Sequence, residues 1–228
     1  MNKLGKALLA VSLTFAVCTQ AMAAFVLNGT RFIYEEGRKN TSFEVTNQSG
    51  KTYGGQVWID NTTQGNGVYM VPAPPFFKLG AKQTQIIRIM KVDDALPKDR
   101  ESLFWLNVQE VPPKPKESDG NVLSIAMNTQ VKLIYRPTAL QGSRENAEQR
   151  IQVITRDGKT WLKNPTPYYF ALVSVRENGQ EVRLQKTVTD AMAIFAPFSE
   201  VSLDRALSGK ISVEAVNDWG GTQVYALN

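Results

Sequence analysis

Chemistry has few instruments in this chain. Its 228 residues include no histidine and one cysteine, Cys18, so the usual nucleophile–base pairs and zinc sites cannot be assembled. Adjacent carboxylates occur at Glu35-Glu36 and Asp93-Asp94. Sequence neighbours on a turn are ordinarily solvated charges, and a carboxylate-pair hydrolase is disfavoured. Two cations stand apart. Arg31 opens the run Phe32-Ile33-Tyr34, and Lys132 interrupts a long apolar pattern near its end. A guanidinium can grip a carboxylate through two parallel N–H bonds, and an ammonium adds a point charge from another direction. Taken singly, each reads as a side chain snorkelling from a solvated face.

The element that must carry Lys132 is the most regular in the chain. Leu123, Ile125 and Met127, then Val131, Leu133 and Tyr135, fall on every second position, with Ser124, Asn128, Gln130 and Lys132 between. Period-two alternation marks a β-strand with two different faces. Lys132 has the opposite parity to Leu123 and Met127, so it projects from the other face. The pattern outlasts the roughly five or six residues of an ordinary strand. A long apolar-faced strand is a template for another backbone unless it is central in a sheet.

Short β patterns dominate the rest. Phe43 and Val45 alternate with Glu44 and Thr46, followed by Val57-Trp58-Ile59, Ile86 to Ile89 and Leu103 to Val111. Beyond residue 150, Ile151 to Ile154 lead into Asp157-Gly158, and Asn178-Gly179 separates Tyr168–Arg176 from Glu181–Leu184. Such a dipeptide between β patterns is a strong hairpin signal. No amphipathic helix of useful length stands out. Many short strands broken by Gly, Pro and Asn predict an all-β sandwich architecture. The pattern dissolves between Pro137 and Glu148, which places a domain boundary there, giving domains at 24–140 and 141–228.

The first 23 residues read as a secretory signal peptide. Lys3 and Lys6 precede the apolar run Ala7 to Val17, and Ala21-Met22-Ala23 offers a small-x-small cleavage site. The apolar core is well short of the roughly 20 residues of a transmembrane span, which implies export without an anchor. Cleavage removes Cys18, leaving no disulfide in an exported chain. It also lowers the formal charge from +5 to +3 by removing Lys3 and Lys6. That mild charge, with no basic run interleaved with aromatics, disfavours nucleic-acid binding. Asn28, Asn40, Asn47 and Asn61 each match Asn-x-Ser/Thr, a degenerate pattern that chance often supplies.

The run Leu96-Pro97-Lys98-Asp99-Arg100-Glu101-Ser102-Leu103-Phe104-Trp105-Leu106-Asn107-Val108-Gln109-Glu110-Val111-Pro112-Pro113 resembles the signature of the periplasmic pilus-assembly chaperones, the PapD-like family. The resemblance begins near Asn28-Gly29-Thr30-Arg31. It continues through Lys132-Leu133-Ile134-Tyr135-Arg136-Pro137, Asn164 to Tyr169 and Asn217-Asp218-Trp219-Gly220-Gly221. It implies two immunoglobulin-like β-sandwiches at an angle, with a cleft between them and Trp58 in a core. The short loop after Val111 and the missing cysteines match the short-loop branch. The implied activity is chaperoning of pilus subunits by donor-strand complementation and their delivery to an outer-membrane usher, without enzyme activity, ATP, cofactor or metal.

The resemblance also implies roles for residues. Arg31 and Lys132 match positions that anchor a subunit's C-terminal carboxylate. Leu123, Ile125 and Met127 match donor-strand side chains that enter a subunit's open groove, with Asn121 as a weaker polar plug. Glu101, Arg136 and Asp218 match an interdomain charge network, and Val111 and Pro113 an apolar usher contact. Lys51-Thr52-Tyr53-Gly54-Gly55 departs from the family, where a proline and bulkier apolar residues are common. An exposed donor strand also invites self-association of the free chain. The competing reading is a secreted two-domain immunoglobulin-like adhesin or carbohydrate-binding module, which predicts exposed aromatic platforms and binding independent of Arg31.

Overall fold

Alternating side chains give most strands one face in a core and one face outside it. The computed structural model of the chain describes residues 23–63, 65–115 and 123–227. The N-terminal half forms β1 (Phe25–Leu27), β2 (Arg31–Glu35), β3 (Thr41–Asn47), β4 (Tyr53–Asn61), β5 (Met70–Ala73), β6 (Phe76–Leu79), β7 (Thr84–Lys91), β8 (Ser102–Val111) and β9 (Asn128–Arg136). These make a four-stranded sheet, β1-β3-β7-β5, and a five-stranded sheet, β2-β9-β8-β4-β6. Phe43, Ile87, Leu106 and Leu133 are among the buried side chains that fill the core between them. Trp58 does not belong to that core. Val57 and Ile59 take the inward positions of β4, so Trp58, half-buried, lies on the opposite face and donates from Nε1 to Asp60.

The C-terminal half forms β10 (Gln152–Arg156), β11 (Lys159–Lys163), β12 (Leu172–Glu177), β13 (Gln180–Glu181), then helix α1 (Lys186–Ala193), β14 (Glu200–Ser202), β15 (Ile211–Val216) and β16 (Thr222–Ala226). Sheets β10-β11-β14 and β13-β12-β15-β16 enclose a second core that includes Leu162, Val175, Phe195 and Val213. The architecture is all-β, two immunoglobulin-like sandwiches. Asn178 and Gly179 turn the β12–β13 hairpin with φ of 52° and 83°, the left-handed pair that such a turn requires. The eight residues of α1 escape a periodicity search because only Val188 and Met192 are buried. Between the cores, where the sequence loses its β pattern, the chain makes two 3-10 turns at 138–143 and 147–150.

Strand β9 differs from the alternating reading at both ends. Its C-terminal part, Leu133 to Arg136, is buried on both faces, because the second domain covers the side facing away from the core. Its N-terminal limit is Asn128 and not Leu123. The ladder with β8 ends where the Glu110 N–H donates to the Met127 carbonyl at 3.0 Å. Pro112 and Pro113 follow on the partner strand and have no N–H to continue it.

Candidate functional site

Parallel pairing of β2 with β9 brings the two isolated cations together. Arg31 and Lys132 are register partners, as are Phe32 and Leu133, and Glu35 and Arg136. Leu133 and Tyr135 point into the core, so Lys132 projects from the other face, toward the second domain. Its Nζ donates to the Ala193 carbonyl at the end of α1. Arg31 Nη1 donates to the Val216 carbonyl at 2.9 Å, and Arg31 Nε is buried without a partner. Among the described residues neither cation makes an ion pair. Burial, then the charge of Arg31, pulls Lys132 down to about 8. Burial also lowers Arg31, with Asp218 opposing. Two like charges held half-desolvated, with no ion pair of their own among the described residues, could receive an anion.

The segment preceding β9 supplies an apolar edge. Leu123, Ile125 and Met127 are 83, 64 and 48 % exposed. They continue the parity of Val131, Leu133 and Tyr135 beyond the end of the sandwich, where no core remains to receive them. With Pro112 to Pro115 and Lys51 to Tyr53, Leu123 and Ile125 line an open groove of about 550 Å³. Val111 and Pro113 are both exposed beside it. Asn121 lies outside the described residues.

A buried charge network joins the two sandwiches. Arg136 Nε donates to Glu101 Oε1 at 2.7 Å, and its Nη1 donates to Asp218 Oδ2 at 2.7 Å. The other Glu101 oxygen accepts the Tyr169 N–H at 2.7 Å, and the Glu101 N–H donates to the Pro167 carbonyl at 2.9 Å. Burial pushes the Glu101 carboxyl up, against the charge and hydrogen bond of Arg136. Burial also acts on Asp218, but Arg136, Arg144 and Arg31 outweigh it and hold this carboxyl below its ordinary value.

Sequence reasoning missed Arg144 and Glu148. Their side chains pair through two bonds of 2.9 and 2.6 Å, and Arg144 Nε reaches Asp218 at 3.7 Å. The spacing of Arg144 and Glu148, four residues apart, was the available signal. The carbonyls of Ala193 and Val216 had none, since every residue carries one. Asn47, one of the Asn-x-Ser/Thr matches, is fully buried and bonds the carbonyls of Lys51, Leu79 and Gly80. It is a structural turn residue and not a modification site.

Two immunoglobulin-like sandwiches with a cationic interdomain cleft and an exposed apolar edge define a class, and the comparisons identify it. Residues 24–141 match the N-terminal domain of the PapD pili and flagellar-assembly chaperones, and residues 146–227 match the C-terminal domain of the PapD pili-assembly chaperone. The chain belongs to this PapD-like pilus-assembly chaperone family. It is 50 % identical over 209 residues to the FanE chaperone protein of Escherichia coli, covering 91 % of each chain. It is 35 % identical over 231 residues to the FaeE chaperone protein of Escherichia coli, covering 100 % of this chain and 87 % of that one. Among solved structures it is similar to the Salmonella enterica SafB chaperone in complex with the SafA pilin. That match has a TM-score of 0.77 and 26 % identity, over 91 % of this chain and 97 % of the other. The Escherichia coli chaperone DraB matches with a TM-score of 0.75 and 25 % identity, over 89 % of this chain and 96 % of that one.

Proposed function

We propose that the chain is a periplasmic chaperone that binds exported pilus subunits, completes their fold with a strand, caps their assembly surface and delivers them to an outer-membrane usher. One observation carries this reading: the strand bearing the cation site is preceded by an exposed apolar segment, Leu123 to Met127, to which no strand pairs beyond Met127 among the described residues. A subunit lacking its last strand offers the complement of both. Its terminal carboxylate meets Arg31 and Lys132, and its open groove receives Leu123, Ile125 and Met127. Backbone ladder bonds give affinity and alternate side chains set the register. At about 3.3 Å per residue, roughly 30 Å of strand separates Lys132 from Leu123, so the anchored carboxylate selects which pockets the donor side chains enter. Asn121 continues this series as a polar plug. The buried, unpartnered Arg31 Nε offers its N–H to the anchored carboxylate, while Nη1 keeps the Val216 carbonyl.

The pilin-bound relative SafB supports this mode. Val111 and Pro113, exposed beside the groove, are assigned to the usher contact, and the departure at Lys51 to Gly55 alters its neighbour. Glu101, Arg136 and Asp218 are assigned to fixing the domain orientation. Cores that end at Tyr135 and resume at Ala147 support a boundary near residue 140. The leader-like first 23 residues support export, and among the described residues no helix is long and apolar enough to cross a membrane. Such work is stoichiometric binding and calls for no catalysis, ATP or metal.

Co-expression with a fimbrial subunit tests the anchor. The wild-type chain is expected to recover the subunit at equal stoichiometry. Arg31→Ala or Lys132→Ala abolishes recovery while melting as before, since stranding one member of a desolvated charge pair costs about 2–5 kcal/mol. Undiminished recovery with both residues replaced would refute the assignment.

The depressed Lys132 adds a pH dependence. Below about 8 the free chain already carries the charge, and affinity is flat. A bound carboxylate favours the ammonium, so above that pH the complex holds more protons than the free chain. Affinity therefore falls as pH rises from about 8 toward 10.5, the ordinary lysine value. Titration calorimetry across this range checks the slope, and Lys132→Arg should remove it. A slope that persists in that variant contradicts the role of Lys132.

A further inference from the structure

Trp219 is the most exposed large apolar side chain among the described residues, at 95 %. Tryptophan is highly buried on average, although one exposed on a loose loop would mean little. This one is held firmly. The Asn217 side-chain oxygen accepts the N–H groups of Trp219 and Gly221, both at 3.0 Å. The Asn217 N–H donates to the Gly221 carbonyl at 2.8 Å. Gly220 has a φ of 85°, and a Cβ there would lie 2.9 Å from the Thr30 hydroxyl oxygen, so the turn seats against the residue before Arg31. On either side of it, the Val216 carbonyl accepts from Arg31 and the Asp218 carboxylate accepts from Arg136. The indole therefore stands at a place set by the anchor and the domain bridge together. It borders an open groove of about 680 Å³ that Thr30, Arg31 and Arg136 also line. Arg31 in turn borders the pocket that holds Lys132.

We propose that Trp219 is a contact residue for the bound pilus subunit, packing its indole against apolar side chains close to the subunit's C-terminal carboxylate. The assignment rests on the anchor reading above. A polypeptide end seated on Arg31 has this groove, and the indole on its rim, at its flank. A tryptophan on a backbone already fixed by the turn, with only two side-chain torsions left to order, offers a large contact area at little cost in conformational entropy, the property of interface hot spots.

The test uses the purified complex of the full chain with a fimbrial subunit, with dissociation followed by displacement with excess labelled chaperone. Trp219→Ala is expected to accelerate dissociation about tenfold or more with an unchanged melting temperature, since an exposed side chain supports no core. Trp219→Phe keeps an apolar ring and should restore most of the lifetime. Because Trp58, Trp105 and Trp161 also fluoresce, the emission of the wild type minus that of Trp219→Phe isolates the indole, and it should shift to the blue on complex formation. Unchanged dissociation with no blue shift overturns the Trp219 assignment. If Arg31→Ala still abolishes capture in that case, the anchor reading stands; capture that survives Arg31→Ala overturns the anchor reading itself. Glycan-array binding lost in Trp219→Ala, with subunit dissociation unaffected, would assign the indole to carbohydrate and equally overturn the proposal.

Discussion

Ile125→Glu is expected to eliminate subunit capture while leaving the chain folded with an unchanged melting temperature. Ile125 is 64 % exposed, so the free protein loses little apolar burial when it is replaced. On the proposed donor-strand reading the same position enters an apolar pocket of the subunit, and an unpaired carboxylate there costs several kcal/mol before any contact is counted. Two controls sharpen the result. Leu133→Glu has the same strand parity but is 0 % exposed, and it should unfold the domain, as unpaired buried charges generally do. Ser124→Glu has the opposite parity, which in a paired donor strand points it away from the subunit's pockets, and it should bind nearly as well as the wild type. Unfolding of Ile125→Glu would place that side chain in the protein's own core and sink the donor-strand assignment. The same variant should suppress any self-association of the free chain measured by sedimentation, because the edge that invites pairing carries a charge.

Arg136→Ala is expected to destabilise the chain by about 3–5 kcal/mol and to loosen the orientation of the two sandwiches. Arg136 and Glu101 have side chains 6 and 0 % exposed, too buried for the near-zero value of a surface ion pair. Its removal leaves Glu101 in a desolvated site with only the Tyr169 N–H as donor, while Asp218 retains Arg144. The stranded carboxyl should then take up a proton. A folded-state pKa above the unfolded value means that the native state binds more protons in the window between them, so stability falls as pH rises there. The deficit is therefore smaller at pH 5 than at pH 8. Thermal melts at the two pH values and small-angle scattering measure both effects. The double variant Glu101→Gln, Arg136→Met should cost less than the sum of its parts, because each single change strands the other's buried charge and the double leaves neither charge in place. An unchanged melt and scattering profile for Arg136→Ala would reduce the network to decoration.

Period-two alternation in residues 123 to 135 was legible without any structure, because a strand's side chains must alternate whatever surrounds it. It also placed Lys132 on the face opposite Leu133. Alternation does not say which phase is inside, and Trp58 shows the consequence. An aromatic flanked by Val57 and Ile59 could lie on either face of β4, and those two neighbours took the core. Nor does alternation say where hydrogen bonding stops. The ladder of β9 ends at Met127 because its neighbour runs into Pro112 and Pro113, a fact about the register of two strands rather than about either one.

The residue types and the family motif marked Arg31, Lys132, Glu101, Arg136 and Asp218 as the charges worth watching. Only the tertiary structure put Arg31 opposite Lys132, through parallel pairing of strands a hundred residues apart in the chain. It also buried both faces of Leu133 to Arg136, drew Arg144 and Glu148 into the bridge, and set the carbonyls of Ala193 and Val216 against the two cations. Those features depend on how one sandwich is docked on the other. Local sequence determines which way a side chain leaves its strand; what it meets there is decided by segments far away in the chain, and burial, partnering and pKa follow from that meeting.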